Sequence, residues 1–147
     1  MDSIDRKIIN LLRINAKIPI AELSVKIGIS GAAIHKRIKK LESKKIFSGS
    51  QINIDPKSVG FTTLAFIGIY LEKAVDVNFA IKKLNEIDEI TECHYTTGDW
   101  SILIKIFCKN NEHLMKLLNE KIQAIKGISR TETYISLDQQ ISRQIKI

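Results

Sequence analysis

The sequence is poor in residues that staple, anchor or export a chain. Only two cysteines, Cys93 and Cys108, occur in 147 residues. They do not make the disulfide framework of a small secreted domain, so a reducing cytoplasmic setting and two small core residues are expected. The longest apolar run, around Leu64–Leu71, is far shorter than the roughly 20 residues that span a bilayer. No charged-then-apolar leader opens the chain, so no signal peptide is expected. The only prolines, Pro19 and Pro56, each read as a joint between elements. Catalytic apparatus is missing too. His35, His94 and His113 fall on different elements, and no pair has metal-ligand spacing. Cys93 and His94 are neighbours on an expected strand, so they point apart. There is no nucleophile elbow, P-loop or glycine-rich dinucleotide fingerprint. No enzyme, cofactor or metal site is expected.

Acidic residues are scarce in one half only. Residues 1–60 hold 12 Lys+Arg against 5 Asp+Glu, a net +7, whereas residues 61–147 hold 11 of each and are neutral. All the excess positive charge of the chain lies in its first 60 residues. A basic block joined to a neutral remainder suggests a polyanion-binding module attached to something with a different task.

That block contains LSVKIGISGAAIHKRIKKLESKK, Leu23 to Lys45. It reads as a short helix, a turn over Gly28-Ile29-Ser30, and a second helix capped by Ser30. Ile34, Ile38 and Leu41 give the second helix one apolar stripe. His35, Lys36, Arg37, Lys39, Lys40, Lys44 and Lys45 leave its other side strongly positive. A helix–turn–helix presents its second helix to the major groove in this way. Upstream, Ser3 to Ile14 is expected to be helical, with Asp2 as N-cap, Asp5 in the first turn, and a stripe of Ile4, Ile8, Leu11 and Leu12. Pro19 then starts a helix over Ile20–Ile27 that buries Ala21, Leu23 and Ile27. Candidate DNA-contacting residues are Ser30, Gly31, Ala32, His35, Lys36, Arg37, Lys39 and Lys40. Gly31 and Ala32 either allow close approach to DNA or merely cap the helix. Arg37, at the edge of the apolar stripe, either binds phosphate or pairs internally with a carboxylate. Ile46 to Ile54, centred on Ser48-Gly49-Ser50, is either a small wing or an extended linker.

From about residue 61 the periodicity changes. Thr63–Glu72, Ile90–Thr97, Trp100–Cys108 and Ile128–Leu137 read as strands. A helix capped by Asp76 is expected between the first two. Another, capped by Asn110 or Asn111 and stopped by Gly127, is expected between the last two. Gly98-Asp99 reads as a tight turn joining two strands into a hairpin. The order βαββαβ is that of ferredoxin-like folds. Helices would cover one face of a four-stranded antiparallel sheet, and pairing with a second copy would cover the other. The last nine residues, QQISRQIKI, form either an edge strand or a tail. The expected fold class is α+β. An N-terminal helix–turn–helix (winged-helix-like) domain with its linker occupies residues 1–60, and a ferredoxin-like βαββαβ domain occupies residues 61–147.

The ordered set of residues resembles the Lrp/AsnC (feast/famine) transcriptional regulators over nearly the whole chain. It comprises Asp2 and Asp5 before Lys7-Ile8-Ile9, then Asn15-Ala16-Lys17, Leu23, Gly28-Ile29-Ser30, Arg37, Leu41-Glu42 and Ile46. Pro56 and Gly60 follow, then Thr97-Gly98-Asp99-Trp100, Gly127-Ile128, Thr131 and Thr133. The resemblance implies a cytoplasmic regulator that binds double-stranded DNA, dimerises through its C-terminal domain and often forms octamers. It also implies an amino acid or related small metabolite as effector, held between dimers near the glycine turn of the hairpin. Family members commonly carry an acidic residue where this chain has Ser101. Candidate effector-binding residues are Tyr95, Thr97, Gly98, Asp99, Trp100, Ser101, Thr131 and Thr133. Gly98-Asp99 either holds the effector's charged groups or is a plain turn. Trp100 is either a wall of that site or interface filler. The rival functions are a metabolite-sensing module whose helices contact only protein, and an architectural DNA binder without an effector.

Overall fold

The computed structural model describes residues 1–47 and 49–147. It forms two compact units, Met1–Asn53 with Ile141–Ile147, and Ile54–Gln140. These bounds differ from the expected 1–60 and 61–147, for local reasons. Residues 54–60 belong with the sheet: Asp55 holds the Lys57–Val59 3-10 turn through Ser58 Oγ at 2.6 Å, and the Phe61 amide donates to the Pro56 carbonyl at 2.9 Å. The last residues belong with the helices: Asn10 Nδ2 donates to the Ile147 carbonyl at 2.5 Å and Arg13 Nη1 to the Gln144 carbonyl at 3.3 Å. Residues 139–147 form no strand and are a tail.

The first unit has three helices, α1 (Ser3–Ile14), α2 (Ile20–Ile27) and α3 (Gly31–Ser43). Their ends follow from capping. The Asp2 carboxylate accepts from the Asp5 amide at 2.8 Å, and the Asp5 carboxylate accepts from the Asp2 amide at 3.1 Å, a reciprocal cap of α1. Ser30 Oγ accepts from the Ala33 amide at 3.3 Å. Between α2 and α3 the chain turns at Gly28, whose φ of +80° is the left-handed conformation glycine adopts without Cβ strain. Ile8, Leu23 and Ile34 are fully buried, joined by Ile9, Ile18 and Leu41. Ala21 is exposed rather than buried. No strand forms over the described residues of 46–54, so this segment is an extended linker and not a wing; Ser48 of the expected turn lies outside the described residues. With so few large residues in its core, this unit is sensitive to any one of them. Leu23→Ala should cost about 2–5 kcal/mol through lost burial and a residual cavity. A urea melt followed by helical circular dichroism would show it.

The second unit is a four-stranded antiparallel sheet of order β2-β3-β1-β4, with β1 at Thr63–Leu71, β2 at Ile90–Tyr95, β3 at Ile102–Cys108 and β4 at Ile128–Ser136. Strand alternation sends Ala65, Ile67 and Ile69 of β1, and Ile102, Ile104, Ile106 and Cys108 of β3, to one face. There they pack under α4 (Val77–Leu84), α5 (Asn111–Leu117) and a π-helical turn at Leu118–Ile122. The opposite face carries Leu64, Phe66, Gly68 and Tyr70 of β1 beside Leu103, Lys105 and Phe107 of β3 and Glu132 and Tyr134 of β4.

Three local expectations are corrected. Asp76 does not cap α4; it ends a 3-10 turn, Ala74–Asp76, in helical backbone geometry. Its side chain packs on Gly127, where an added Cβ would sit 2.8 Å from the Asp76 Cβ. The hairpin is not tight, because β2 stops at Tyr95 and β3 starts at Ile102. The intervening loop closes through the Thr96 amide on the Ser101 carbonyl at 3.0 Å and Thr96 Oγ1 on the Trp100 carbonyl at 2.7 Å. Cys93 is exposed rather than in the core, unlike Cys108.

Candidate nucleic-acid interface and effector site

A helix turns 100° per residue, so Ala32, His35, Lys36, Lys39 and Ser43 share one face of α3, with Lys40 at its border. All six are exposed. Ile34 and Leu41, on the opposite side, are buried. The face therefore offers an imidazole and three ammonium groups on a rigid element whose first residue, Gly31, follows a capped turn. In protein–DNA complexes generally, cations of this kind neutralise phosphates, and base edges are read by side chains on the outer face of the recognition helix.

Three of the eight expected DNA-contacting residues have other work. Ser30 spends its hydroxyl on the helix cap. Gly31 is half-buried, and a Cβ there would stand 3.3 Å from Ile20 Cγ2, so its smallness serves packing of α3 on α2. Arg37 lies about 140° around α3 from Ala32. Its Nη1 donates to Asp2 Oδ2 and Asp5 Oδ1, both at 2.7 Å. Of the two alternatives for Arg37, the internal pair is the one observed.

The same contacts set the charge states. Asp2 is held below the usual carboxylate range, first by the Asp5 amide and then by Arg37. Asp5 is held down first by Arg37 and then by the Asp2 amide. Depressed carboxylates contribute stability above their unfolded pKa, about 3.9 for aspartate. That contribution fades as pH falls through the lower folded values. An acid titration followed by circular dichroism should therefore show the helical unit unfolding below about pH 4, and Arg37→Met should move that transition to higher pH.

The expected effector residues do not converge within one chain. Thr97, Gly98 and Asp99 are exposed in the loop between β2 and β3, and Gly98 has a φ of +108°. Trp100 leaves the loop to lie across the sheet, where an added Cβ on Gly68 would come within 2.5 Å of its ring. There Trp100 Nε1 donates to Glu132 Oε2 at 3.0 Å. Tyr70 and Tyr134 hydroxyls donate to the same carboxylate at 3.1 and 3.2 Å, and Arg130 Nη2 pairs with it at 3.1 Å. The Trp100 indole, with help from the two hydroxyls and Arg130, holds the Glu132 carboxyl below its usual range. Thr131 and Thr133 flank Glu132 in sequence and so point to the opposite face, in register with Ile69 and Ile67. Thr131 Oγ1 accepts from Gln123 Nε2 at 2.9 Å, at the rim of a pocket of about 270 Å³ with Ile128, Ser129 and Arg130. Tyr95, on strand β2, sits at the other edge of the sheet, three strand spacings or about 14 Å from β4. Ser101 is half-buried, its amide donating to the Ile69 carbonyl at 3.0 Å.

Glu132, Tyr70 and Gln123 were not expected from the sequence. A glycine inside an apolar strand, TLAFIGIYL, does signal that another group approaches the backbone closely. Cys108 is inert, its thiol pushed up to about 11 by burial and by Glu89. Among the described residues, no three His, Cys, Asp or Glu side chains are grouped to hold a metal ion, and no helix is long and apolar enough to cross a membrane.

Residues 1–42 match the family model of the AsnC-type helix-turn-helix domain, and residues 64–145 match that of the Lrp/AsnC ligand binding domain. The chain belongs to the Lrp/AsnC family. Over 146 residues it is 42% identical to the Regulatory protein AsnC of Escherichia coli K12, covering 99% of this chain and 96% of that protein. The fold superposes on the structure of E. coli AsnC with a TM-score of 0.96 at 41% identity, over 100% of this chain and 99% of that one. It also superposes on a feast or famine regulatory protein from M. tuberculosis complexed with L-methionine, with a TM-score of 0.91 at 27% identity and 99% coverage of both chains. Like its Lrp/AsnC relatives the chain is a transcriptional regulator with a DNA-binding helix–turn–helix, and the family is one of regulators rather than enzymes.

Proposed function

We propose that this Lrp/AsnC regulator acts in the cytoplasm as a homodimer that can assemble further into an octamer. In this reading it recognises specific DNA through Ala32, His35, Lys36, Lys39 and Lys40 of α3, and an amino acid or related metabolite tunes its affinity. No catalytic step is part of it. The observation that carries the DNA contact is the cationic outer face of α3, with Arg37 turned inward and neutralised by Asp2 and Asp5. Pairing is supported by the uncovered sheet face, where Phe66 and Tyr134 are exposed beside Leu103 and Phe107. A second sheet laid on it would bury those side chains. Two recognition helices would then address two half-sites about one DNA turn apart.

The effector site is proposed to form between chains. Trp100 at the end of the loop and Thr131 at the pocket lie on opposite faces of one sheet, so a single effector is assigned to the loop of one chain and the pocket of another. The Thr131 pocket offers the hydroxyls of Ser129 and Thr131 and the Gln123 amide to an amino acid's polar groups, while the Arg130 guanidinium is held by Glu132 and stacked on Tyr70. A larger apolar pocket of about 360 Å³ near Pro56 and Phe61 is lined by Thr91 and by Asp88 and Glu89, whose carboxylates would repel an effector carboxylate. The M. tuberculosis relative complexed with L-methionine supports the amino-acid class. A thermal-shift screen of the twenty amino acids, followed by sedimentation velocity, tests this. The expected result is a raised midpoint for one or a few amino acids together with a changed sedimentation coefficient. A flat screen would favour an architectural DNA binder.

A further inference from the structure

We infer that Arg37 is a positioning residue for DNA recognition: by tying the back of α3 to the Asp2–Asp5 cap of α1, it fixes the rotation of the helix whose outer face meets DNA. The inference rests on the DNA-binding reading above and adds a residue that touches no base or phosphate.

The anchor is rigid on both sides. Asp2 and Asp5 are already locked to each other's backbone amides, at 2.8 and 3.1 Å, before Arg37 joins them. Asp5 is itself buried, with 8% of its surface exposed, and its carboxylate receives Arg37 of α3. Arg37 then places one nitrogen, Nη1, 2.7 Å from a carboxylate oxygen of each. Three side chains from two helices thus meet at a single point with defined geometry.

The turn after Gly28 and the packing of Gly31 on Ile20 fix the start of α3 on α2, and Arg37 supplies the polar contacts that orient α3 on α1. The core between the helices is Ile8, Leu23, Ile34 and Leu41, smooth aliphatic groups whose attraction has no direction. Such a core resists separation of the helices far more than a small roll of one on another. Hydrogen bonds to charged groups are directional, and specificity of arrangement is the best-attested use of ion pairs that are taken partly out of water. The lever is long. A roll of 20° at a helix outer radius of about 5–6 Å moves a side-chain tip by about 2 Å. Hydrogen bonds to base edges need donor and acceptor within a window of about 0.5 Å. Phosphate contacts by flexible lysines tolerate such a shift, because they depend on charge rather than on a fixed geometry. Loss of the anchor should therefore cost sequence discrimination while leaving general attraction to DNA.

The test uses the full chain, a duplex enriched from a random-sequence pool by the wild-type protein, and a scrambled duplex of equal composition. Affinities are measured by fluorescence anisotropy across a salt series, with circular dichroism melts as the folding control. For Arg37→Met, affinity for the enriched duplex should fall about 10- to 100-fold, affinity for the scrambled duplex should stay within about twofold, and the salt slope should not change. The double variant Asp2→Asn/Asp5→Asn is the sharper arm. It makes the protein more positive, so charge alone would tighten DNA binding; positioning requires the same selective loss as Arg37→Met. Combining all three changes should add no further loss. Arg37→Lys, which keeps a cation for Asp5 and perturbs folding least, should retain most of the discrimination. Equal losses on both duplexes with a slope reduced in magnitude by about 0.9 per bound copy would make Arg37 a phosphate contact and overturn the inference. Unchanged or tighter binding of the enriched duplex by the aspartate variant would also overturn it. A wild-type chain that binds neither duplex at low salt would instead sink the DNA-binding reading itself.

Discussion

Reversing two charges on α3, Lys36→Glu with Lys39→Glu, should abolish retention of DNA at physiological salt. Both side chains lie on the face opposite buried Ile34 and Leu41, so the folded unit loses little when they change. The DNA complex loses a great deal. Each lysine that neutralises a phosphate contributes about 0.9 to the salt slope, and a glutamate in its place adds repulsion from the same phosphate. In a paired molecule both losses count twice. All the excess charge of the chain, +7, lies in residues 1–60, so residues 61–147, neutral overall, have no spare cations to compensate. The expected weakening is more than about 1000-fold, the scale on which a protein that neutralises several phosphates responds to a few-fold rise in salt. The melting curve of the variant should match that of the wild type. Lys39→Ala alone should lower affinity modestly on any sequence and reduce the magnitude of the slope by about 0.9 per bound copy.

The second large effect is expected at Gly68. Its backbone is ordinary extended strand, so the constraint is space and not conformation: a Cβ would lie within 2.5 Å of the Trp100 ring. Gly68→Val must lift the indole off the sheet. That breaks the 3.0 Å bond from Trp100 to Glu132 and separates it from Tyr134, now edge-on at 5.9 Å between ring centroids. Overpacking of this kind costs about 1–3 kcal/mol. Glu132 would keep Tyr70, Tyr134 and Arg130 but lose the group that most favours its ionised form. Because Trp100 is the only tryptophan, its fluorescence reports the change without a label. Red-shifted emission with a lowered melting midpoint is expected. Weaker self-association by sedimentation should accompany it, since the displaced ring would stand on the face proposed to meet the second copy.

Much of this molecule was legible locally. The three helices begin and end where their sequence signals lie, because those signals act over three or four residues: Asp2 with Asp5, Gly28, and Ser30 with Ala33. The βαββαβ order was likewise written in runs of apolar residues bounded by glycine and asparagine. What escaped was long-range. Thr131 and Thr133 looked like neighbours of Trp100, yet strand register puts Glu132 there and turns both threonines away. Nothing within β4 alone states which of its two faces meets a tryptophan from a loop about 30 residues earlier. Arg37 could have served phosphate or carboxylate by its chemistry. Only the packing of α1 against α3 decided between them. The linker at 46–54 has strand-like alternation but no partner strand among the described residues of its own unit, and alternation without a partner does not make a sheet.

The most direct test of the central claim, that α3 in a paired molecule reads DNA by charge and shape together, is the salt dependence of binding to the enriched and scrambled duplexes. Two copies presenting Lys36, Lys39 and Lys40 predict a log–log slope of about −5 on both duplexes, with the enriched duplex bound at least about 1000-fold more tightly. A slope near zero, or equal affinity for the two duplexes at every salt concentration, would contradict it.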